Sequence, residues 1–330
     1  MNAGAIDVIG IGNAIVDVLV RCEDKLLAEN GLAKGAMTLI DAERAVALYE
    51  KLGPAVEASG GSAANTMVGI ASLGGRAAYI GKVRDDQLGV VFQHDIRKAG
   101  VHFETKPARG GVPTARCFVL ITPDAQRTLQ TYLGVSAELG PDDIDATLIS
   151  RAAITYLEGY LFDPPHAKAA FRKAASIAHG AGRKVALTLS DAFCVDRHRE
   201  DFLDLITGAV DILFANEAEI MSLFRVHDFD SALQAVRGHC EIAALTRSAK
   251  GSVVVANDEV HIIDAEPTAA VVDTTGAGDL FAAGFLFGLT RGRDVAVAAR
   301  IGAIAAGEVI GHVGARPQTA LDRLLMQTLC

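Results

Sequence analysis

Asp273-Thr274-Thr275-Gly276-Ala277-Gly278-Asp279 leads without a break into Leu280-Phe281-Ala282-Ala283-Gly284-Phe285-Leu286-Phe287. Small residues opening an apolar helix leave backbone N–H groups unpaired and pointing forward. The helix dipole adds partial positive charge there, so an anion can settle at the turn. Asp279 stands beside that anion, where a carboxylate can take the proton of a substrate hydroxyl as a phosphoryl group moves onto it. The same residues also read as an N-capped turn, because Asp favours helix starts and Gly favours turns. It is the combination that points to chemistry.

The rest of the chain accommodates one catalytic unit. With 330 residues, half of them hydrophobic, it can bury a large core as a single α/β domain over residues 1–330. A formal charge of -9 leaves no basic field, which argues against nucleic acid or an anionic membrane as partner and for a small-molecule substrate. Cys22, Cys117, Cys194, Cys240 and Cys330 are dispersed and odd in number, as expected of reduced thiols in cytoplasm rather than a disulfide framework. The N-terminus carries Asp7 and Asp17 and reads as a strand, not a signal peptide. No apolar run reaches spanning length, and the one near 280–289 fits a buried helix.

Short β-branched runs alternate with helical patterns. Strands are expected at 77–80, 154–157, 185–189, 211–214, 242–246 and 252–255, and helices at 62–73, 88–99, 165–179, 217–224, 279–289 and 295–310. This alternation predicts a mainly parallel sheet covered by helices on both faces, with ligands beyond the strands' carboxyl ends. Residues 17–40 and 114–133 break the pattern with polar-apolar alternation, read as exposed, two-sided strands of a small β-sheet lid.

Several familiar motifs fail. Gly10-Ile11-Gly12-Asn13-Ala14-Ile15 lacks the third glycine of a dinucleotide fingerprint, and Gly81-Lys82 has no Walker A context. Gly60-Gly61-Ser62-Ala63-Ala64-Asn65 falls one glycine short of a nucleophile elbow, and no His/Cys cluster suggests a metal held by protein alone. Gly60 and Gly61 read either as a hinge or as room for a ligand that a β-carbon would obstruct. Asp17 reads as a polyol-binding carboxylate or as the outward residue of an alternating strand. Asn216-Glu217-Ala218-Glu219 matches a capping box.

From Val8 through Pro317 the chain resembles the ribokinase family of carbohydrate and nucleoside kinases, also called the PfkB family, whose C-terminal signature has the form of 273–279. The resemblance implies a ribokinase-like three-layer α/β fold with a small β-sheet lid. It implies Asp279 as general base and Gly276, Ala277 and Gly278 as anion hole. It places Asn13, Asp17, Gly60, Gly61 and Asn65 on substrate hydroxyls and Arg127 on the transferred phosphate. ATP would meet Asn216 and Glu219, near magnesium, together with Thr246 and Gly251, although Ser248 replaces the first glycine of that loop. Asp273 and Thr275 match positions that hold a monovalent cation, so potassium joins ATP and Mg²⁺ among the expected cofactors.

The stretches 158–162, 187–193, 211–217 and 314–317 are most similar to adenosine kinases within this family. That likeness implies phosphorylation of a nucleoside 5′-hydroxyl, adenosine to AMP in purine salvage, with Phe162 and Phe193 stacking on the purine. The rival readings are a kinase of free sugars such as ribose or fructose and a catalytically silent nucleoside-binding relative. The chain is expected as monomer or homodimer, since an exposed small sheet serves either state.

Overall fold

The computed structural model describes residues 5–124, 126–257, 259–268 and 270–329. Ala125, within the second expected lid stretch, and Cys330 lie outside these residues. The strands are β1 (Ile6–Ile11), β2 (Ile15–Arg21), β3 (Met37–Leu39), β4 (Val56–Gly60), β5 (Ala77–Ile80), β6 (His102–Phe103) and β7 (Ala115–Ile121). They continue with β8 (Arg127–Tyr132), β9 (Ala152–Glu158), β10 (Lys184–Thr188), β11 (Ile212–Asn216), β12 (Ile242–Thr246), β13 (Ser252–Ala256) and β14 (Glu259–Ile263).

Nine strands form the large sheet in the order β14-β13-β12-β11-β10-β9-β1-β5-β6, parallel from β12 through β6, with β13 and β14 added antiparallel. Both faces are dry. Along β11, Leu213 and Ala215 join one core while Ile212 and Phe214 join the other; Val253 and Val255 oppose Val254 in the same way on β13. The helices Pro165–Gly180 and Ala192–Ala209 cover the first face, and Ser62–Ser72, Ala277–Thr290 and Val295–Val309 cover the second. This is the three-layer α/β architecture expected from the alternation, and each expected strand and helix is present within a few residues.

Aspartate sets many of the helix starts. Asp86, Asp191, Asp228 and Asp294 each accept an N–H of the first turn, as N-caps do. The helix Ala192–Ala209 was not anticipated. Its charged run 196–201 hides the apolar stripe, and it kinks at His198, where φ is -125°.

The second sheet has five strands in the order β3-β8-β7-β2-β4. Its strands are not two-sided. Val18, Val20, Phe118 and Leu120 pack under the helices Asp24–Glu29 and Ala42–Tyr49, burying Leu27, Ala45 and Leu48. Alternation there marks one covered face, and the strand β4 outside the expected stretches completes the sheet beside β2.

The helix Ala277–Thr290 is fixed by a close crossing with Val295–Val309. A β-carbon on Gly284 would lie 2.6 Å from the Ile301 carbonyl oxygen and 2.7 Å from Gly302, distances no packed pair tolerates. Gly284→Ala should therefore lower unfolding stability by about 1–3 kcal/mol, the usual cost of overpacking, despite alanine's better helix propensity. Urea denaturation decides it; an unchanged midpoint would mean that the two helices can part freely.

Candidate active site

The site lies where neighbouring strands of the large sheet end. Asn13 follows β1, Glu158 closes β9, Asp191 follows β10, Asn216 closes β11 and Thr246 closes β12. Sequence-distant polar residues thus share one ledge, at the carboxyl ends where open α/β sheets take ligands.

Asp279 occupies the first turn of Ala277–Thr290, whose N-cap Gly276 has φ +82°. A β-carbon at Gly276 would meet Ala315 at 2.7 Å, so the turn needs glycine both for its conformation and for the approach of the C-terminal loop. The Ala277 N–H bonds back to the Thr274 carbonyl at 3.2 Å, while those of Gly276 and Gly278 have no protein partner among the described residues. The expected three-amide anion hole is therefore corrected to two, because the turn itself consumes the third.

A second helix grips the carboxylate. Ser62 Oγ donates to Asp279 Oδ1 at 2.6 Å and Asn65 Nδ2 donates to Oδ2 at 3.1 Å. Burial pushes the Asp279 carboxyl up to about 6, against both hydrogen bonds and the nearby Arg316 charge. Asp17 faces the same space. Burial raises it to about 6 as well, with Arg316 and Arg127 pulling it down and Asp279 pushing it up.

Gly60 and Gly61 make room for the protein's own groups, a second reason for glycine at these positions. A β-carbon on Gly60 would fall 2.4 Å from Asp17 Oδ2, and one on Gly61, at φ +96°, 2.3 Å from the Asn13 carbonyl oxygen. Asn13, expected on a substrate hydroxyl, is buried, its Nδ2 donating to Glu158 Oε1 (2.9 Å) and its Oδ1 accepting from Ser136 Oγ (2.9 Å). It is a wall residue, spent on its neighbours.

Arg127 reaches across from β8 to Asp273 (2.7 Å) and to Thr275 Oγ1 (3.2 Å). The remaining capacity of Asp273 goes to Thr275 N and Oγ1 (3.0 and 2.7 Å) and to Gly314 N (2.8 Å). Both Asp273 oxygens are thus engaged by protein donors, and Thr275, the other residue expected at a monovalent cation, is one of them.

Asn216 and Glu219 form a reciprocal capping box: Glu219 N donates to Asn216 Oδ1 (2.9 Å), and Asn216 N donates to Glu219 Oε2 (3.0 Å). Glu219 is buried, and burial pushes it up to about 7. Thr246 pairs with Asn216 in register. Gly251 (φ +78°) lets the following loop pass the Ile263 carbonyl, 2.0 Å from where a β-carbon would lie. Ser248 keeps a left-handed φ of +53°, so the glycine-like turn survives the replacement. Burial, and then the charges of Asp191, Glu219, Asp279 and Glu158, raise the half-buried Tyr160 phenol.

The two aromatic candidates part company. Phe193 is 75% exposed in the first turn of its helix. Phe162 is 2% exposed, its ring stacked 4.1 Å from Phe202 and 5.7 Å from Phe171. It is core, with no face free for a base, and its assignment to the substrate is withdrawn. Ser62, Glu158 and Arg316 are the site residues that the sequence reading missed.

The family model for pfkB family carbohydrate kinases matches residues 36–321. The chain belongs to this family. It is accordingly a phosphotransferase with an alcohol group as acceptor, a kinase of sugars or nucleosides that takes ATP and a small-molecule substrate. It is 54% identical to an adenosine kinase structure from Sinorhizobium meliloti, with TM-score 0.92 over 98% of this chain and 99% of that one. A probable sugar kinase from Rhizobium etli CFN 42 is 51% identical, with TM-score 0.91 over 98% of each chain. An ATP-dependent ribose-1-phosphate kinase of Halopiger xanaduensis is 30% identical over 81% of this chain and 85% of its own. Among the described residues no group of three or more His, Cys, Asp or Glu is arranged to hold a metal, and no helix is long and apolar enough to cross a membrane.

Four carboxyls are pushed above their ordinary values, the half-buried Asp17 and Asp279 to about 6 and the buried Glu158 and Glu219 to about 7. The folded state therefore binds protons more tightly than the unfolded chain between about pH 4 and 7, and stability from these groups falls as pH rises through that window. Asp7 and Glu217 are held low and lose their contribution only in more acidic solution. The ligand-free thermal midpoint should accordingly be higher near pH 5.5 than near pH 8, with a weaker dependence in Asp279→Asn. A midpoint that rises over the same interval contradicts the burial of these charges.

Proposed function

We propose that the protein transfers the γ-phosphoryl group of ATP to the 5′-hydroxyl of a nucleoside, adenosine foremost, giving AMP and ADP in purine salvage. The observation that carries this reading is the Asp279 carboxylate, fixed by Ser62 and Asn65 beside the open amides of Gly276 and Gly278. Nothing of the protein lies within 4 Å of the space a β-carbon would fill at Gly278. Asp279 takes the hydroxyl proton as the new O–P bond forms and the bond to the ADP leaving oxygen breaks. The free amides stabilise the charge on the moving phosphoryl oxygens. Arg127 leaves Asp273 for the phosphate when the small sheet closes as a lid over the sugar, excluding water.

Asp17, ionised above about pH 6, accepts from two neighbouring ribose hydroxyls. Asn216, Glu219, Thr246 and Gly251 border the nucleotide. Magnesium carried by the phosphates supplies charge neutralisation, and Glu219, a buried carboxylate held above its ordinary range, is the group of this chain that a cation nearby would favour through water. Adenosine is preferred because of the similarity to the Sinorhizobium meliloti adenosine kinase structure and because Phe193 presents an exposed ring beside the ledge. One observation favours a free sugar instead: Phe162 is locked in the core, leaving one aromatic platform where two were expected.

ADP formation by purified protein, with adenosine, other nucleosides, ribose and fructose compared, tests this reading. Asp279→Asn should reduce kcat by at least about a hundredfold; near-normal turnover would remove Asp279 from the chemistry. Phe193→Ala should raise the KM for adenosine about tenfold, within the usual worth of one stacked base, and leave any ribose turnover unchanged. Equal effects on both substrates would exclude stacking by Phe193.

A further inference from the structure

Arg316 lies in the C-terminal loop, 251 residues from Asn65, and its guanidinium is directed into the site. Nε donates to Asn65 Oδ1 at 3.1 Å and Nη1 donates to Ser59 Oγ at 2.7 Å, while Nη2 is buried with no partner among the described residues. Asn65 uses its other end on Asp279, Nδ2 to Oδ2 at 3.1 Å. A guanidinium has no acceptor and an ionised carboxylate has no donor, so the amide between them can face only one way. Protonating Asp279 would remove the reason for that orientation. Leaving a guanidinium arm buried and unpaired is costly, and an apolar side chain would fill the loop without that cost.

Resting on the reading of Asp279 as the base, we infer that Arg316 is a positioning residue for it: it locks the Asn65 amide toward the carboxylate and holds that carboxylate in its charged form. The groups that face Asp279 are Asp17 on β2, Tyr156 and Glu158 on β9, Tyr160 after it, and Arg316. Arg127, which also acts on Asp17, is tied to Asp273. Arg316 is therefore the cation that balances Asp279, and it also faces Asp17 and, through the Ser59 side, Asp95.

The test follows the ionisation of Asp279 directly, by the pH titration of its carboxyl ¹³C shift in aspartate-labelled full-length protein, assigned with Asp279→Asn, alongside pH profiles of kcat and KM. Arg316→Met should raise the Asp279 midpoint by about one pH unit or more, move the acid limb of kcat/KM by the same amount, and lower kcat. Arg316→Lys, which keeps the charge but not the planar fork, should leave the midpoint near wild type and still lower kcat. An unmoved midpoint in a folded Arg316→Met, or a loss confined to KM, overturns the inference. If Arg316→Met does not fold, Arg316→Lys decides: full kcat or a displaced acid limb overturns it, and reduced kcat with an unmoved limb supports it. A wild type that turns over no substrate would refute the kinase reading separately, and the titration would still decide the role of Arg316.

Discussion

Glu158 ends β9 with a carboxylate inside the protein, and three donors meet there: Asn13 N (3.2 Å), Asn13 Nδ2 (2.9 Å) and Ala63 N (2.8 Å). A buried charge without partners would be prohibitive, and even with these bonds burial raises Glu158 to about 7. What the arrangement secures is position. Glu158 joins the end of β1 to the first turn of Ser62–Ser72, and Gly12 is needed because a β-carbon there would lie 2.3 Å from Glu158 Oε2. Ser62 and Asn65, on that same first turn, then have fixed directions toward Asp279. The Asp279 carboxylate is set by contacts that begin a strand away from it.

The anion turn has its own clamp. Asp273 collects N–H and O–H donors from Thr275, the N–H of Gly314 and the guanidinium of Arg127, so the turn, the C-terminal loop and the small sheet meet on one carboxylate. Arg127 is the member of this set with another use, since a phosphoryl group at the free amides of Gly276 and Gly278 would compete for it.

Much of the large sheet was legible because buried parallel strands read as apolar runs, whereas the aspartate caps Asp191 and Asp228 did not by themselves reveal their helices. Asp279, Asn65 and the glycine pair were legible because their chemistry is contained in a few adjacent residues. The remainder was not, for a physical reason. Ser62 and Arg316 join the candidate site only because the fold brings them to Asp279 and Asn65, 217 and 251 residues away in sequence, and nothing local marks such a pairing. Phe162 erred in the opposite direction: an aromatic residue at the end of a strand has the same letters whether it faces the ledge or stacks on Phe202. For the glycines, close approach to Asp17 and Asn13 leaves the same trace in sequence as close approach to a ligand, so the letters alone did not reveal these protein neighbours.

Sheet order also separates the two halves of the ledge. Asn216 and Thr246 end adjacent strands β11 and β12, tied further by the ion pair of Glu217 with Arg247 at 3.1 Å, so the nucleotide candidates form one rigid border. Asn13, Asp17, Gly60 and Asn65 gather around β1 and the small sheet, where the chain leaves the large sheet and returns. Asp279 comes from neither group; it is brought between them by a helix packed on the second face and pinned through Gly284. A phosphoryl donor on one border and a hydroxyl acceptor on the other would then meet at a carboxylate that the acceptor side holds through Ser62 and Asn65.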